Sequence, residues 1–412
     1  MNYSQTLEFI HSLGNFSRPA GLCRITAAAE ALGNPQDNFC SVHIAGTNGK
    51  GSVSAMLANV FKAAGYKTGL FISPYIIDFR ERIQINGGFI SESDLVKYAE
   101  RVRKIGIDLS EFEFITAAAF SYFSDKKCDM VIAETGLGGR LDATNILNSE
   151  ITVITKIGMD HSAVLGDTVE KIAAEKCGII KDSPVTVSSY DQPENALRVI
   201  ENTANRLLIP DKLQLRVISC DESGSTFIYK NKEYCISLAG KHQIENALTV
   251  IETVENSGFK IPYETVANAL KETFFPARAE IICEKPLVLL DGAHNPDGAK
   301  ALAGILAHYD GRVTAVIGMM RDKDSSAVLA ATLPFCKAAV AVTVGNMPRS
   351  LEAEELAVKA RKYCHCVTAD SYRDAIEKSY SLAAGEPVFV FGSLYLAGGI
   401  RNELKMFYKN LK

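Results

Sequence analysis

The sequence predicts an α/β protein in two parts. The first is an N-terminal nucleotide domain, P-loop-containing, with a mostly parallel sheet and a small antiparallel region; the second is a smaller C-terminal α/β domain. Three observations carry this. The apolar run 39–45 breaks into Gly46-Thr47-Asn48-Gly49-Lys50-Gly51-Ser52 and then into a Val/Ala/Met/Leu helix pattern, which is a strand, a glycine turn and a helix. Further apolar strands at 67–73, 129–134 and 151–157 alternate with helical stretches, as a parallel sheet requires. At Glu284-Lys285-Pro286 the composition resets, and strands at 287–291, 312–318, 337–344, 364–369 and 387–393 begin a second alternating series of Rossmann-like character. The domains are therefore set at 1–283 and 284–412.

Composition bounds the function. With 412 residues, 47% hydrophobic and 22% charged, the chain is long enough for two or three globular domains. A formal net charge of −4, with no block dominated by Lys and Arg, argues against a nucleic-acid binder, so anions must be handled at local sites. No apolar run approaches the ~20 residues that span a bilayer, and the opening Met1-Asn2-Tyr3-Ser4-Gln5 leads into an amphipathic pattern without a signal-peptide core. A cytoplasmic monomer without membrane or nucleic-acid partners is expected. Ten cysteines stand singly, as at Cys40, Cys220, Cys235 and Cys283, and read as reduced thiols in the core. Cys364-His365-Cys366 has no second Cys/His pair at ligand spacing, so it reads as a strand edge rather than a zinc site.

Taken in order, residues 1–38 hold two helical stripes, Leu7, Phe9, Ile10 and Leu13, then Ile25, Ala28 and Leu32, separated by Asn15-Phe16-Ser17-Arg18-Pro19 and expected to cover the edge of the first domain. In the loop 46–52, glycines at 46, 49 and 51 let the backbone wrap a phosphate, the first helical N–H groups lack partners, and Lys50 adds charge. The general Walker A pattern needs Gly at 44 and Ser or Thr at 51, where the chain has Ile44 and Gly51, so a tight strand-to-helix turn remains the alternative. The second strand ends at Ser73-Pro74 and is followed by Tyr75 and Arg82. Amphipathic helices begin at Ser93 and near Phe112. The strand 129–134 ends in Glu134 before the glycines 136, 138 and 139, as a structural acid or a magnesium ligand would. The strand 151–157 delivers Asp160 and His161 to the same edge, and a helix capped at Asp167-Thr168 runs to Lys176. Residues 184–237 alternate strand pieces with turns, and a helix carrying Asn246 follows. Beyond Pro276-Ala277-Arg278-Ala279-Glu280, Asp291-Gly292-Ala293-His294-Asn295-Pro296 ends a strand and opens a helix with Pro in its first turn, and Phe391-Gly392-Ser393 ends the last strand.

These segments, in this order across nearly the whole chain, resemble the Mur ligase superfamily and within it the folylpolyglutamate synthase and dihydrofolate synthase branch. The resemblance rests on the loop 46–52 with Gly after its lysine, Ser73-Pro74 with Glu81-Arg82-Ile83, Glu134 to Asn145, Ile172 to Lys181, His242-Gln243 with Asn246-Ala247, and the motifs at 276–280 and 291–296. It implies an ATP-dependent acid–amino-acid ligase that phosphorylates a folate or dihydropteroate carboxylate and lets the amine of L-glutamate displace phosphate. It further implies that Gly46, Thr47, Asn48, Gly49, Lys50, Gly51 and Ser52 hold the phosphates, Asn246 and Asp291 meet the nucleotide, and Arg278 clamps the γ-phosphate. Ser73, Glu134 and His161 would ligate Mg²⁺, and Lys176, carbamylated by CO₂, a second Mg²⁺. Arg82, His294 and Ser393 would line the substrate sites. The chain departs from the family pattern at Tyr75, where His is usual, at Cys177 for Ala and at Ala277 for Gly. A cell-wall Mur ligase is the nearer alternative, disfavoured by Lys50-Gly51 and by the lack of an extra N-terminal substrate domain. A P-loop ATPase without ligase activity is the more distant one.

Overall fold

Short amphipathic stripes give the first two helices, α1 (Tyr3–Ser12) and α2 (Cys23–Ala31). They open a computed structural model that describes residues 1–14, 20–345 and 347–410, the side chain of Ala163 excepted; the expected break at Asn15-Phe16-Ser17-Arg18-Pro19 lies outside the described residues. A capping box closes the start of α1, where the Asn2 side chain accepts from the Gln5 N–H and the Gln5 side chain answers to the Asn2 N–H.

The apolar run becomes β1 (Cys40–Ala45), and the helix pattern becomes α3 (Lys50–Ala63), in which Val53, Met56, Leu57, Val60 and Phe61 are fully buried. Next come β2 (Thr68–Phe71), β3 (Ile83–Ile85) and β4 (Gly88–Phe89), then α4 (Glu92–Lys104) and α5 (Glu111–Asp125), whose N-caps are Ser91 and Ser110. Helices α1 and α2 pack on α5, and α1 also on α4, burying Ile10, Ile25 and Ala28 with Tyr98, Phe114 and Phe120. After β5 (Met130–Glu134) and β6 (Ile151–Ile154) follow the short α6 (Ser162–Leu165), α7 (Val169–Cys177), β7 (Val185–Ser188), α8 (Glu194–Thr203) and β8 (Leu207–Leu208). The sheet order is β4-β3-β2-β5-β1-β6-β7-β8. From β2 to β8 every pairing is parallel, while β3 and β4 are antiparallel edges. β1 lies between β5 and β6, so the carboxyl ends of three strands meet at one edge, where an open parallel sheet binds its ligands.

Strands β9 (Leu215–Asp221), β10 (Gly224–Tyr229) and β11 (Lys232–Ile236) form a three-stranded sheet in the order β11-β10-β9, within the region of alternating strand patterns. Helices α9 (Lys241–Glu255) and α10 (Tyr263–Glu272) follow. The last series is β12 (Glu280–Glu284), β13 (Leu287–Leu290), α11 (Pro296–Leu306), β14 (Val313–Ile317), α12 (Ser325–Thr332), β15 (Cys336–Val342), α13 (Ala353–Ala360), β16 (His365–Ala369), α14 (Tyr372–Ala383), β17 (Val388–Phe391) and α15 (Leu394–Lys409). Its sheet order is β12-β13-β17-β14-β15-β16, parallel except for β12. Leu289, Ala315, Ile317, Ala339 and Phe389 stack with Leu302, Leu329 and Leu356 in its core.

By internal contacts the chain divides into two units, one of residues 1–216, 228–234 and 245–273, the other of 217–227, 235–244 and 274–412. All ten cysteines are free thiols. No described helix is long and apolar enough to cross a membrane.

Candidate active site

The turn between β1 and α3 is built for close backbone approach. The N–H groups of Thr47 and Asn48 both donate to Lys156 O, at 3.0 and 3.1 Å, and the Thr47 hydroxyl exchanges hydrogen bonds with the Gly158 backbone. A Cβ at Gly46 would stand 1.8 Å from Thr155 Oγ1, and one at Gly49 would stand 2.4 Å from Asn246 Oδ1. Gly49 is the N-cap of α3 at φ 91°, and no side chain caps that helix. The first-turn amides of a 14-residue helix are therefore left for an anion.

Two lysine side chains converge on this turn. Lys50 Nζ lies 3.1 Å from Gly46 O, and Lys176 Nζ, on the last turn of α7, donates to the same carbonyl at 2.7 Å. Lys176 is 4% exposed. Burial first, and then the neighbouring Lys50 charge, lower its pKa to about 7, against a weaker opposing pull from Asp160 and Asp142. Glu134, buried at the end of β5, places Oε1 4.0 Å from Lys50 Nζ, and the Ser73 N–H approaches its other oxygen at 3.4 Å. Gly46, Lys50, Ser73, Glu134, Lys176 and Asn246 are thus gathered at one sheet edge. Asp160 belongs to the same surroundings. His161 has φ 50° and a half-exposed ring 3.9 Å from Asp160.

The glycine-rich segment after Glu134 is fastened by residues to which the sequence reading gave no role. Asp142 Oδ2 accepts the N–H groups of Gly136 and Leu137, both at 2.9 Å, and Oδ1 accepts the Thr144 hydroxyl and N–H. Arg140 N donates to Glu175 O at 2.7 Å, and a Cβ at Gly139 would meet Glu175 O and Lys176 O at 2.7 Å. The segment therefore lies flat on the end of α7 and fixes where Lys176 projects. An Asp two residues before Thr is an Asx-turn signal that points to Asp142 in hindsight.

Arg82 is also in this unit, buried to 9% exposure, with its guanidinium 5.2 Å from the Tyr75 ring centre and 5.6 Å from that of Phe79. Both are cation–π distances. The 74–78 turn is held by Glu81, whose carboxylate accepts three backbone N–H groups from Ile76, Ile77 and Asp78 at 2.8 Å.

The remaining expected residues lie in the other unit, at the carboxyl edge of its sheet. Asp291 and His294 follow β13 and Ser393 follows β17, and these strand ends are tied by Asp291 N to Val390 O and Gly392 N to Ala293 O. Asp291 accepts the Ala279 and Ala293 N–H groups, one on each oxygen, so it staples the Arg278 loop to the His294 turn. Ala277 and Ala279, on either side of Arg278, both have left-handed φ, at 53° and 49°. The Arg278 guanidinium lies over the Phe275 ring at 5.5 Å. Glu280 anchors the same loop, accepting from Ala277 N and from the Arg401 guanidinium of α15. His294 Nδ1 is 2.8 Å from Gly292 O, and the Ser393 hydroxyl caps α15 by accepting the Tyr395 N–H.

A magnesium ion takes oxygen ligands, commonly one or two from carboxylates and the rest from phosphates and water. Glu134 fits that demand, being a buried carboxylate beside open helix amides. Among the described residues no group of three or more His, Cys, Asp or Glu is placed to hold a metal by itself.

A strand-end phosphate loop at the switch point of a parallel sheet, with a second α/β sheet carrying acid, imidazole and hydroxyl at its own carboxyl edge, defines a Mur-type ATP-dependent ligase. Two family models match in this arrangement, the Mur ligase middle domain over residues 44–254 and the Mur ligase glutamate ligase domain over residues 277–394. Among curated proteins, the dihydrofolate synthase/folylpolyglutamate synthase of Bacillus subtilis is 35% identical, covering 98% of this chain and 99% of its own length. Among solved structures, the Mycobacterium tuberculosis folylpolyglutamate synthase complexed with ADP and AMPPCP superposes with TM-score 0.89 at 32% identity, over 98% of this chain and 99% of that one. An E. coli FolC structure in complex with DHPP and ADP gives TM-score 0.89 at 27% identity, over 100% and 99%. The chain belongs to the folylpolyglutamate synthase/dihydrofolate synthase family of Mur ligases.

Proposed function

We propose that this protein ligates L-glutamate to the carboxylate of a folate or dihydropteroate through an acyl phosphate made from ATP. The observation that carries the reading is the meeting of Lys50 and Lys176 on Gly46 O, beside the Glu134 carboxylate and the uncapped start of α3. A phosphoryl group transferred there gains charge stabilisation from fixed donors without a covalent protein nucleophile. Lys50 and the amides of residues 46–52 hold the phosphate chain, Asn246 shapes the nucleotide side of the loop, and Arg278 supplies a cation to the γ-phosphate. Glu134, with Ser73 and His161, would hold magnesium, which when bound neutralises charge on the phosphates. Arg82 in the first unit, and separately His294 and Ser393 in the second, are assigned to substrate carboxylates. We assign residues 1–283 to nucleotide binding and 284–412 to the glutamate-ligase domain. A cytoplasmic location fits ten free thiols, which keep in a reducing compartment, and the protein is taken to act as a monomer.

Lys176 is the proposed carbamate. Its neutral amine can add to CO₂ to give a carbamate and release a proton, replacing an ammonium with a carboxylate-like group able to ligate a second magnesium. Support comes from its burial and its lowered pKa, since only the neutral amine reacts.

Positional isotope exchange in ATP tests the order of activation. Exchange is expected with the pteroate or folate substrate present and glutamate absent. Exchange with glutamate alone would mean that the other carboxylate is phosphorylated and would overturn the scheme.

A further inference from the structure

His43 lies on β1, three residues before Gly46, and is 0% exposed. Its Nε2 is 2.7 Å from Thr144 Oγ1. The Thr144 hydroxyl donates its proton to Asp142 Oδ1 at 2.5 Å, so towards His43 its oxygen has only lone pairs to offer. Nε2 therefore carries the ring proton, and Nδ1 makes no hydrogen bond among the described residues. Burial and the Lys181 ammonium lower the ring's pKa to about 3, which keeps it neutral and in this tautomer across the ordinary range.

The bond continues in two directions. Asp142 passes it to the amides of Gly136 and Leu137, the second and third residues beyond Glu134. Asn145, next to Thr144, donates to Arg140 O and to Gly178 O, both at 3.0 Å, and so ties the glycine-rich segment to the residue after α7. Lys176, two residues earlier, returns to Gly46 O. The circuit starts on β1 and ends on its loop, passing the turn that follows Glu134 and the Lys176 amine on the way.

We propose that His43 is a positioning residue for nucleotide binding: its Nε2–H, acting through Thr144 and Asp142, sets the turn behind Glu134 and the seat of Lys176 against the phosphate loop. It touches no substrate, and the inference rests on the phosphate-loop reading above.

The test measures ADP affinity by calorimetry, together with KM for ATP and kcat, in the full chain. The variants are His43→Gln, His43→Leu, Thr144→Val and the double variant His43→Leu/Thr144→Val. Gln can place an amide N–H near the Nε2 position, whereas Leu fills the space without a donor. His43→Leu and Thr144→Val are expected to weaken ADP binding by at least about tenfold each, with the double variant no worse than either, and His43→Gln to stay within about threefold of wild type. Wild type that binds no ADP would overturn the phosphate-loop reading itself. Wild-type binding together with unchanged affinity in His43→Leu would overturn the role of His43 alone. Equal losses in the Gln and Leu variants, tracking their melting temperatures, would show a purely structural histidine and also overturn it. If His43→Leu does not fold, Thr144→Val decides, since it breaks the relay with the imidazole in place, and an unchanged ADP affinity there would overturn the proposal.

Discussion

Replacing Lys176 with Met removes the amine while keeping an unbranched side chain of similar length, and the effect on stability should depend on pH in a defined direction. The folded pKa of about 7 lies below the ordinary 10.5, so between these values the unfolded chain binds more protons than the folded one. Stability therefore rises with pH across that window: the penalty for burying the group is fully present below pH 7 and fades towards pH 10.5. Worked through the linkage relation, wild type should gain about 2 kcal/mol on the Met variant between pH 7 and pH 9. Of the facing groups, Lys50, Asp160 and Asp142 stand in both proteins, their pull on Lys176 being contained in its pKa, and burial pushes the Cys177 thiol up to about 12, outside the window. Urea unfolding of both proteins at pH 7, 8 and 9 in CO₂-free buffer reads the difference. A difference that stays flat with pH would mean that the folded protein keeps Lys176 charged, and the case for a carbamate would lose its physical basis. With a pKa near 7, about 70% of the amine is neutral at pH 7.4, against about 0.1% for an ordinary lysine. Labelled ¹³CO₂ should then give a carbamate resonance in wild type and none in the Met variant, while Lys176→Ala, which leaves the space open, should lose turnover that short carboxylates partly restore.

Lys50→Ala should lower turnover by more than about tenfold, or ~1.4 kcal/mol of barrier, while leaving the melting temperature nearly unchanged; steady-state kinetics and a thermal melt check both. Gly49→Ala should weaken ADP binding at least about tenfold because its Cβ would enter Asn246, whereas Gly65→Ala, at the same φ of 91° with nothing within 4 Å, should bind ADP normally. Ala384→Gly, at the exposed C-cap of α14, should raise stability by about 0.5–1 kcal/mol in chemical unfolding, since glycine accepts the φ of 51° that alanine adopts there at a cost.

What the sequence disclosed was the part written locally. A glycine turn between an apolar strand and an Ala/Leu/Met helix has one physical reading as backbone, and the loop at 46–52, the acid ending β5 and the capped start of α7 at Thr168 all lie where periodicity and turn chemistry put them. Hydrogen-bond partners are not local. Asp291 and Ser393 look alike to any strand-end acid or hydroxyl awaiting a ligand, yet the first spans two backbone amides and the second caps α15. Asp142 and Thr144 stood inside a motif already singled out, but their bonds join β1 to the turn after β5, which depends on β5 and β1 lying side by side. His43 reads in sequence as one polar residue in an apolar strand, and only its bond to Thr144 gives it meaning. The alternation of the chain between the two units over residues 217–244 follows contacts made within each unit and is not written in local composition.

The central claim is that this phosphate loop serves glutamate ligation, and the most direct measurement is ADP release with dihydropteroate or tetrahydrofolate as acceptor, with and without L-glutamate. The account predicts sustained ADP release only when ATP, a pteroate or folate acceptor and glutamate are all present, matched one for one by a product carrying an added glutamate. ADP release that proceeds at the same rate without acceptor and glutamate, and yields no amide product, would contradict it and leave an ATPase in its place.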